Sequence, residues 1–186
     1  MQEFNRNKLK IKPLAERFSK LNTSIIISPS SEPPQISQEA LLQLKDIAAC
    51  MQKARRLNSP IIVVCGAHLV KNGLSKILIE LMNKKYIQHI LSNGAFSIHD
   101  WEFSYQGKTS EDVKANVAQG QFGIWEETGK YMNLAINYGA ENNLGYGESI
   151  GKFICEKILE NKKIPHPHKE ISILAAAYKN KIPYSI

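Results

Sequence analysis

GAHLVKNGLSK, from Gly66 to Lys76, follows the apolar run IIVVC and opens onto ILIELM. Two glycines frame a histidine and a lysine where a short apolar run gives way to a longer periodic one. A short apolar run bounded by a turn signal reads as a buried strand, and the segment from about Ser75 to Lys85 reads as a helix. The stretch therefore predicts a strand-to-helix corner. Glycine there lets a ligand approach the backbone, while the helix behind it offers free N–H groups and the positive end of its dipole. A phosphate or pyrophosphate suits such a corner, and a tight turn without a ligand accounts for it equally well. The motif is neither G-x-G-x-x-G nor a Walker loop with its lysine and serine.

Working outward, the same order repeats. EALLQLKDIAACMQKARRLN reads as a helix, because Leu41, Leu42, Leu44, Ile47, Ala48 and Met51 recur at a spacing of three to four. No capping box marks its start, and Asn58-Ser59-Pro60 ends it. IQHILS, from Ile87 to Ser92, is a second apolar strand, and NGAFSIHD is a second glycine-marked corner. Helix, strand, helix, strand, with strands apolar on both faces, predicts a Rossmann-like α/β fold: a parallel sheet with helices on both faces. Ligands of such sheets bind at the carboxyl ends of the strands. Beyond Asp100 the chain reads as mostly helical. TSEDVKANVAQ is expected to start a helix with a capping threonine or serine. ETGKYMNLAINYGA, GESIGKFICEKILENKK and HKEISILAAAYKN follow as helices, and IPYSI as the first half of a strand.

The bulk properties set the frame. At 186 residues the chain suits one domain. A polar arm with a Pro/Ser linker is expected over residues 1–37, and the domain proper over 38–186. The net charge of +7 and pI of about 9.3 favour nucleic acid, an anionic membrane or a phosphate-bearing ligand as partner. The lysines are scattered, with no block of five or six, so solvated helix faces account for them better and RNA binding ranks last. Cys50, Cys65 and Cys155 lie far apart with no CxxC, so neither a disulfide framework nor a zinc knuckle is suggested. The start, MQEFNRNKLKIK, carries no apolar signal region, and no apolar run approaches a membrane span. A cytoplasmic protein with no membrane, nucleic acid or metal partner is expected.

Chemistry concentrates in SNGAFSIHDWEF, Ser92 to Phe103. Asn93, Ser97, His99, Asp100 and Glu102 follow a buried strand, and Gly94 and Ala95 are small enough for a ligand to pack on backbone. Asp100 and Glu102 suit a cation such as a polyamine ammonium. His99 beside Asp100 suits proton transfer. The plainer alternative is that Asp100 caps a helix and His99 is exposed. GQFGIWEETGKY reads either as a loop over a site or as an acidic helix start. GAENNLGYGESIG reads as a helix end, a turn and the next helix start. HPH at 166–168 reads as a surface loop.

These stretches together carry a resemblance. Gly66 to Phe103 resembles the cofactor-binding region of the deoxyhypusine synthase family, in particular its bacterial deoxyhypusine synthase-like members, and ISILAAAYKNKIPYSI resembles that family's helix–lysine–strand; the similarity covers roughly 38–186. The resemblance implies an NAD-binding Rossmann-like domain in a homotetramer. The implied activity is NAD-dependent transfer of an aminobutyl group from spermidine to a peptidyl lysine of a translation initiation factor, or to another amine acceptor. It implies that Ala67, His68 and Lys71 touch NAD from the first corner, and that Asn93, Gly94, Ala95 and Phe96 touch it from the second. Asp100 is implied for cofactor and polyamine, and His99 for polyamine. The family's imine-forming lysine lies in a region with no counterpart before Ile186, and Lys130 does not occupy its position. The alternative expectation is a truncated, non-catalytic remnant, or an NAD-binding subunit that needs a partner chain.

Overall fold

Ser37 launches the first long helix. Its Oγ accepts the N–H of Ala40 at 3.1 Å, a side-chain cap that the sequence did not signal. The computed structural model describes residues 5, 8–156, 158, 159 and 162–186. In chain order the elements are β1 (Ser19–Asn22), α1 (Gln38–Arg56), β2 (Ile62–Val64), α2 (His68–Lys71), α3 (Ser75–Asn83), β3 (His89–Leu91) and α4 (Gly94–Gln106). Then come β4 (Lys108–Glu111), α5 (Val113–Ala118), α6 (Glu126–Glu141), α7 (Tyr146–Glu156), β5 (Ile158–Leu159), β6 (Lys162–Lys163), α8 (Ile173–Lys179) and β7 (Tyr184–Ser185).

The fold is an α/β Rossmann-like one, built on a parallel sheet in the order β2-β3-β7. Register aligns Val63 with Ile90 and Ile90 with Tyr184. Side chains alternate along a strand, so these three share a face and pack into the core. That core is completed by Phe96 and Trp101 of α4, Ile150 and Ile154 of α7, and Ile173 and Leu174 of α8, all buried. On the opposite face Ile62, Val64 and Leu91 are exposed, Val64 at 75%. The α1 helix buries none of its residues and leans on the body through Arg55, whose guanidinium lies 4.1 Å from the centroid of the Tyr86 ring. Among the described residues no helix is long and apolar enough to cross a membrane.

Three segments differ from the sequence reading. Thr109–Glu111, expected to open a helix, belongs to β4, which is paired antiparallel with β1 of the arm. Gly107 ends α4 at φ +69°, in the left-handed region that glycine tolerates, and the chain turns back to take its hydrogen bonds from β1. Asp112, not a threonine or serine, caps α5 by accepting the N–H of Ala115 at 3.0 Å. The arm is not a free appendage, since Leu14 and Arg17 are buried and Ile27 donates its N–H to the Gly73 carbonyl at 2.9 Å. The α7 helix stops at Glu156, and Ile158–Leu159 pairs with Lys162–Lys163 where a continued helix was expected.

Close packing of α7 against α8 and β7 depends on two small residues one turn apart. A Cβ on Gly147 would meet Tyr184 Cβ at 2.5 Å, and one on Gly151 would press on the Leu174 carbonyl. Gly147→Val should therefore lower stability by about 1–3 kcal/mol through overpacking. Gly129→Ala in α6, where a Cβ meets nothing within 4 Å, should leave it unchanged or raise it by up to about 1 kcal/mol. Urea midpoints of the two variants check this, and equal midpoints would contradict the packing.

Candidate functional site at the strand ends

Strands β2 and β3 end side by side, and their corners are stitched together. Ser92 Oγ donates to the Cys65 carbonyl at 2.6 Å, and Cys65 N–H donates to the Leu91 carbonyl at 3.1 Å. Gly66 keeps the first corner against the second, since a Cβ there would lie 3.3 Å from Asn93 Nδ2. Asn93 is the N-cap of α4: its Oδ1 accepts the Phe96 N–H at 3.0 Å, and its carbonyl accepts the Tyr184 hydroxyl at 3.2 Å. One orphan donor of the first turn is thereby satisfied. The N–H groups of Gly94 and Ala95 have no partner within the helix. Gly94 faces open space, with nothing within 4 Å of an added Cβ.

The result is a corner at the positive end of a 13-residue helix, with the N–H groups of Gly94 and Ala95 unpaired within it and with α2, which carries His68 and Lys71, packed against the same helix. This chemistry fits the diphosphate of a dinucleotide.

Other expected residues are placed elsewhere. The corner read in NGAFSIHD is the first two turns of α4, and the helical period disperses its cluster. Phe96 is fully buried, its ring 5.5 Å from that of Tyr184, so its side chain belongs to the core. Asp100 is 1% exposed and ties down α8. Its Oδ2 accepts the Ser172 hydroxyl at 2.6 Å and the Leu174 N–H at 3.2 Å, and its Oδ1 accepts the Ile173 N–H at 2.7 Å. Burial pushes its carboxyl up to about 6 against the pull of these three bonds. Asp100 is thus turned away from both the expected cofactor and the expected polyamine.

Glu102, two residues on, leaves the helix on another side. It takes both guanidinium nitrogens of Arg17 at 2.7 Å, the Thr109 hydroxyl at 2.6 Å and the Thr128 hydroxyl at 2.9 Å. With Asp100 and Glu102 both engaged, no acid pair is left for a polyamine. His99 lies on the flank of α4 facing β4, its Nδ1 2.7 Å from Thr109 Oγ1. Burial, chiefly, lowers its proton affinity; Glu102 opposes this, while Lys71, Arg17 and His68 reinforce it. His166 is fully buried rather than on a surface loop, with Nδ1 2.9 Å from Ser104 Oγ and its ring edge-on to Trp101 at 4.4 Å. Arg17 escaped the sequence reading because nothing local in PLAERFSKL marks a residue whose partner is 85 positions away.

With this geometry in place, residues 45–131 match a family described as arginine dihydrolase ArgZ-like, C-terminal, Rossmann fold. The chain resembles that Rossmann domain. No curated protein matches it. Among solved structures it is similar to apo ArgZ, an arginine dihydrolase from the ornithine-ammonia cycle in Cyanobacteria, at TM-score 0.50 and 18% identity over 82% of this chain and 18% of that one. It is also similar to unliganded AgrE, at 0.52 and 17% over 83% of this chain and 19% of that one. A cysteine-to-alanine variant of AgrE with L-arginine gives 0.52 and 18% over 81% of this chain and 20% of that one. The chain therefore spans about a fifth of the length of these structures, and the likeness at such identity is one of fold.

These matches overturn the resemblance to deoxyhypusine synthase, and with it the spermidine, polyamine and lysine-modification chemistry. The reason is physical. A glycine-marked corner between an apolar strand and a helix is a requirement of parallel sheets in general, and it was read as the mark of one family.

Two outcomes follow from the buried carboxylates. Below about pH 4 Asp100 is protonated in both folded and unfolded chains. Between its usual 3.8 and about 6 the folded protein holds a proton that the unfolded chain has released, so this group's contribution to stability is lost as pH rises through that window. The loss is on the order of 3 kcal/mol. Asp100→Asn should flatten that part of the profile of urea midpoint against pH. Arg17→Met, which leaves Glu102 buried without its ion partner, should cost about 3–5 kcal/mol, and adding Glu102→Leu should recover much of it. A double-mutant cycle reads both.

Proposed function

We propose that this chain is the nucleotide-binding Rossmann unit of an arginine dihydrolase-like protein, and that it takes an NAD-type dinucleotide across the carboxyl ends of β2 and β3. The observation that carries the reading is the first turn of α4, where Asn93 caps the helix and leaves the N–H groups of Gly94 and Ala95 free beside an open space. The diphosphate accepts those two N–H groups, with Ala67, His68 and Lys71 supplying the facing corner and its positive charge. When bound, the nicotinamide ring supplies a hydride acceptor, and the chain's own residues bind and orient. The match of residues 45–131 to the ArgZ-like Rossmann domain supports the setting. The arginine chemistry named for ArgZ and AgrE enters here only as the activity of the whole protein such a unit serves. The three cysteines give no sign of a nucleophile: Cys50 is exposed on α1, away from both strand ends, and burial pushes the Cys65 and Cys155 thiols up.

Calorimetric titration with NAD tests the reading. Saturable binding is expected, and ADP-ribose, which keeps the diphosphate, should compete. Ala95→Glu places a negative charge at an exposed position of the same turn and should abolish binding with the melting temperature unchanged. A folded protein that shows no saturation at millimolar NAD would reject it.

A further inference from the structure

A second site lies on the other flank of α4. Between that helix, β4, the 119–125 loop and the arm is a cavity of about 510 Å³. Its size is that of a pocket for a small molecule. Ile98, Val113 and Phe122 give it apolar walls, and each is partly exposed, so a ligand's carbon skeleton would cover them.

The charges around it are nearly all engaged. Arg17 is held by Glu102, and Lys20 by Asp112 at 3.1 Å. Glu111 accepts the Trp125 indole N–H at 2.9 Å, the Asn116 amide at 2.8 Å and the Gly123 N–H at 3.0 Å. Lys71 is the lining cation with no carboxylate partner among the described residues.

The order of hydrogen bonds then fixes the state of His99. Thr109 Oγ1 donates its single proton to Glu102 Oε2 at 2.6 Å, so toward the histidine it can only accept. His99 Nδ1, 2.7 Å from that oxygen, must therefore carry the N–H. Burial keeps the ring neutral, which leaves Nε2 as a bare acceptor. Glu102 itself cannot turn away, because Arg17 grips both of its oxygens and Thr128 donates to one. Thr109 and Glu102 are positioning residues for the imidazole.

We propose that this cavity binds a small organic anion that also carries a hydrogen-bond donor, its anionic group pairing with Lys71 and its O–H or N–H donated to Nε2 of His99. The site shares Lys71 and Ala95 with the proposed nucleotide corner but is read through His99 on another flank of α4, and its test uses no nucleotide.

The test is ¹⁵N spectroscopy of the histidine rings in the full chain, with L-malate, L-lactate and glycerol 3-phosphate as probes. Before any probe is added, His99 should show a protonated Nδ1 and a bare Nε2. At least one of the three probes should shift Nε2 saturably. Its hydroxyl-free counterpart, succinate for malate, propionate for lactate or propyl phosphate for glycerol 3-phosphate, should bind at least fivefold more weakly. Lys71→Gln should weaken the response tenfold or more without changing the tautomer. Thr109→Val should mix the tautomers, and Thr109→Ser should restore the Nδ1–H form, which a purely structural role for Thr109 would not require. A protonated Nε2 in the free protein, no saturable shift with any probe, or equal binding with and without the hydroxyl would each overturn the proposal.

Discussion

The α4 helix carries two carboxylates into a nearly water-free interior within three residues, and each must be fully satisfied there. That constraint organises the molecule. Asp100 answers it by capping α8, taking the hydroxyl of Ser172 and two backbone N–H groups. Glu102 answers it by binding Arg17 and two threonine hydroxyls. The first choice sets the helix that leads directly into β7, the third strand of the sheet. The second brings the arm and α6 against the same helix. Trp101, between the two acids, fills the space they leave with its stack on Phe153 and edge contact with His166.

A helix held so firmly along its length presents a firm first turn. Asn93 and the hydroxyl of Tyr184 hold that turn at the end of β3, and Gly66 lets the neighbouring corner approach. Free N–H groups on a rigid support are what an anion site needs, since little ordering is left for the ligand to pay for. The same helix offers the cavity beside His99 on a different flank. One element thus presents its first turn and its flank in different directions, and Ala95 and Lys71 line the cavity on that flank.

Much of the frame was legible before any coordinates. IIVVC and IQHILS are strands because short, bounded apolar runs bury on a sheet, and the ILIELM helix and the long helices after Glu126 follow from their period. The first corner stands where it was expected, although its His68–Lys71 is a short helix, and the second is shorter than expected, since α4 begins at Gly94. The family suggested by those corners was wrong, because glycine and small polar residues at strand ends serve the geometry of any parallel sheet. The acids and the histidine were assigned to a ligand because they sit close together in sequence. On a helix, residues one and two apart point in different directions, so proximity in sequence dispersed them in space.

What the sequence determined by itself was therefore local and periodic: which stretches bury, which turn, and that strand and helix alternate into a parallel α/β sheet. Only the tertiary structure decided which polar residues are spent on holding it together. Arg17 with Glu102, Asp100 with the start of α8, and His166 with Ser104 are partnerships across 62 to 85 residues that no window of sequence contains. A buried charge takes whatever partner the packed chain brings within reach, and that partner is a property of the fold rather than of the neighbouring residues.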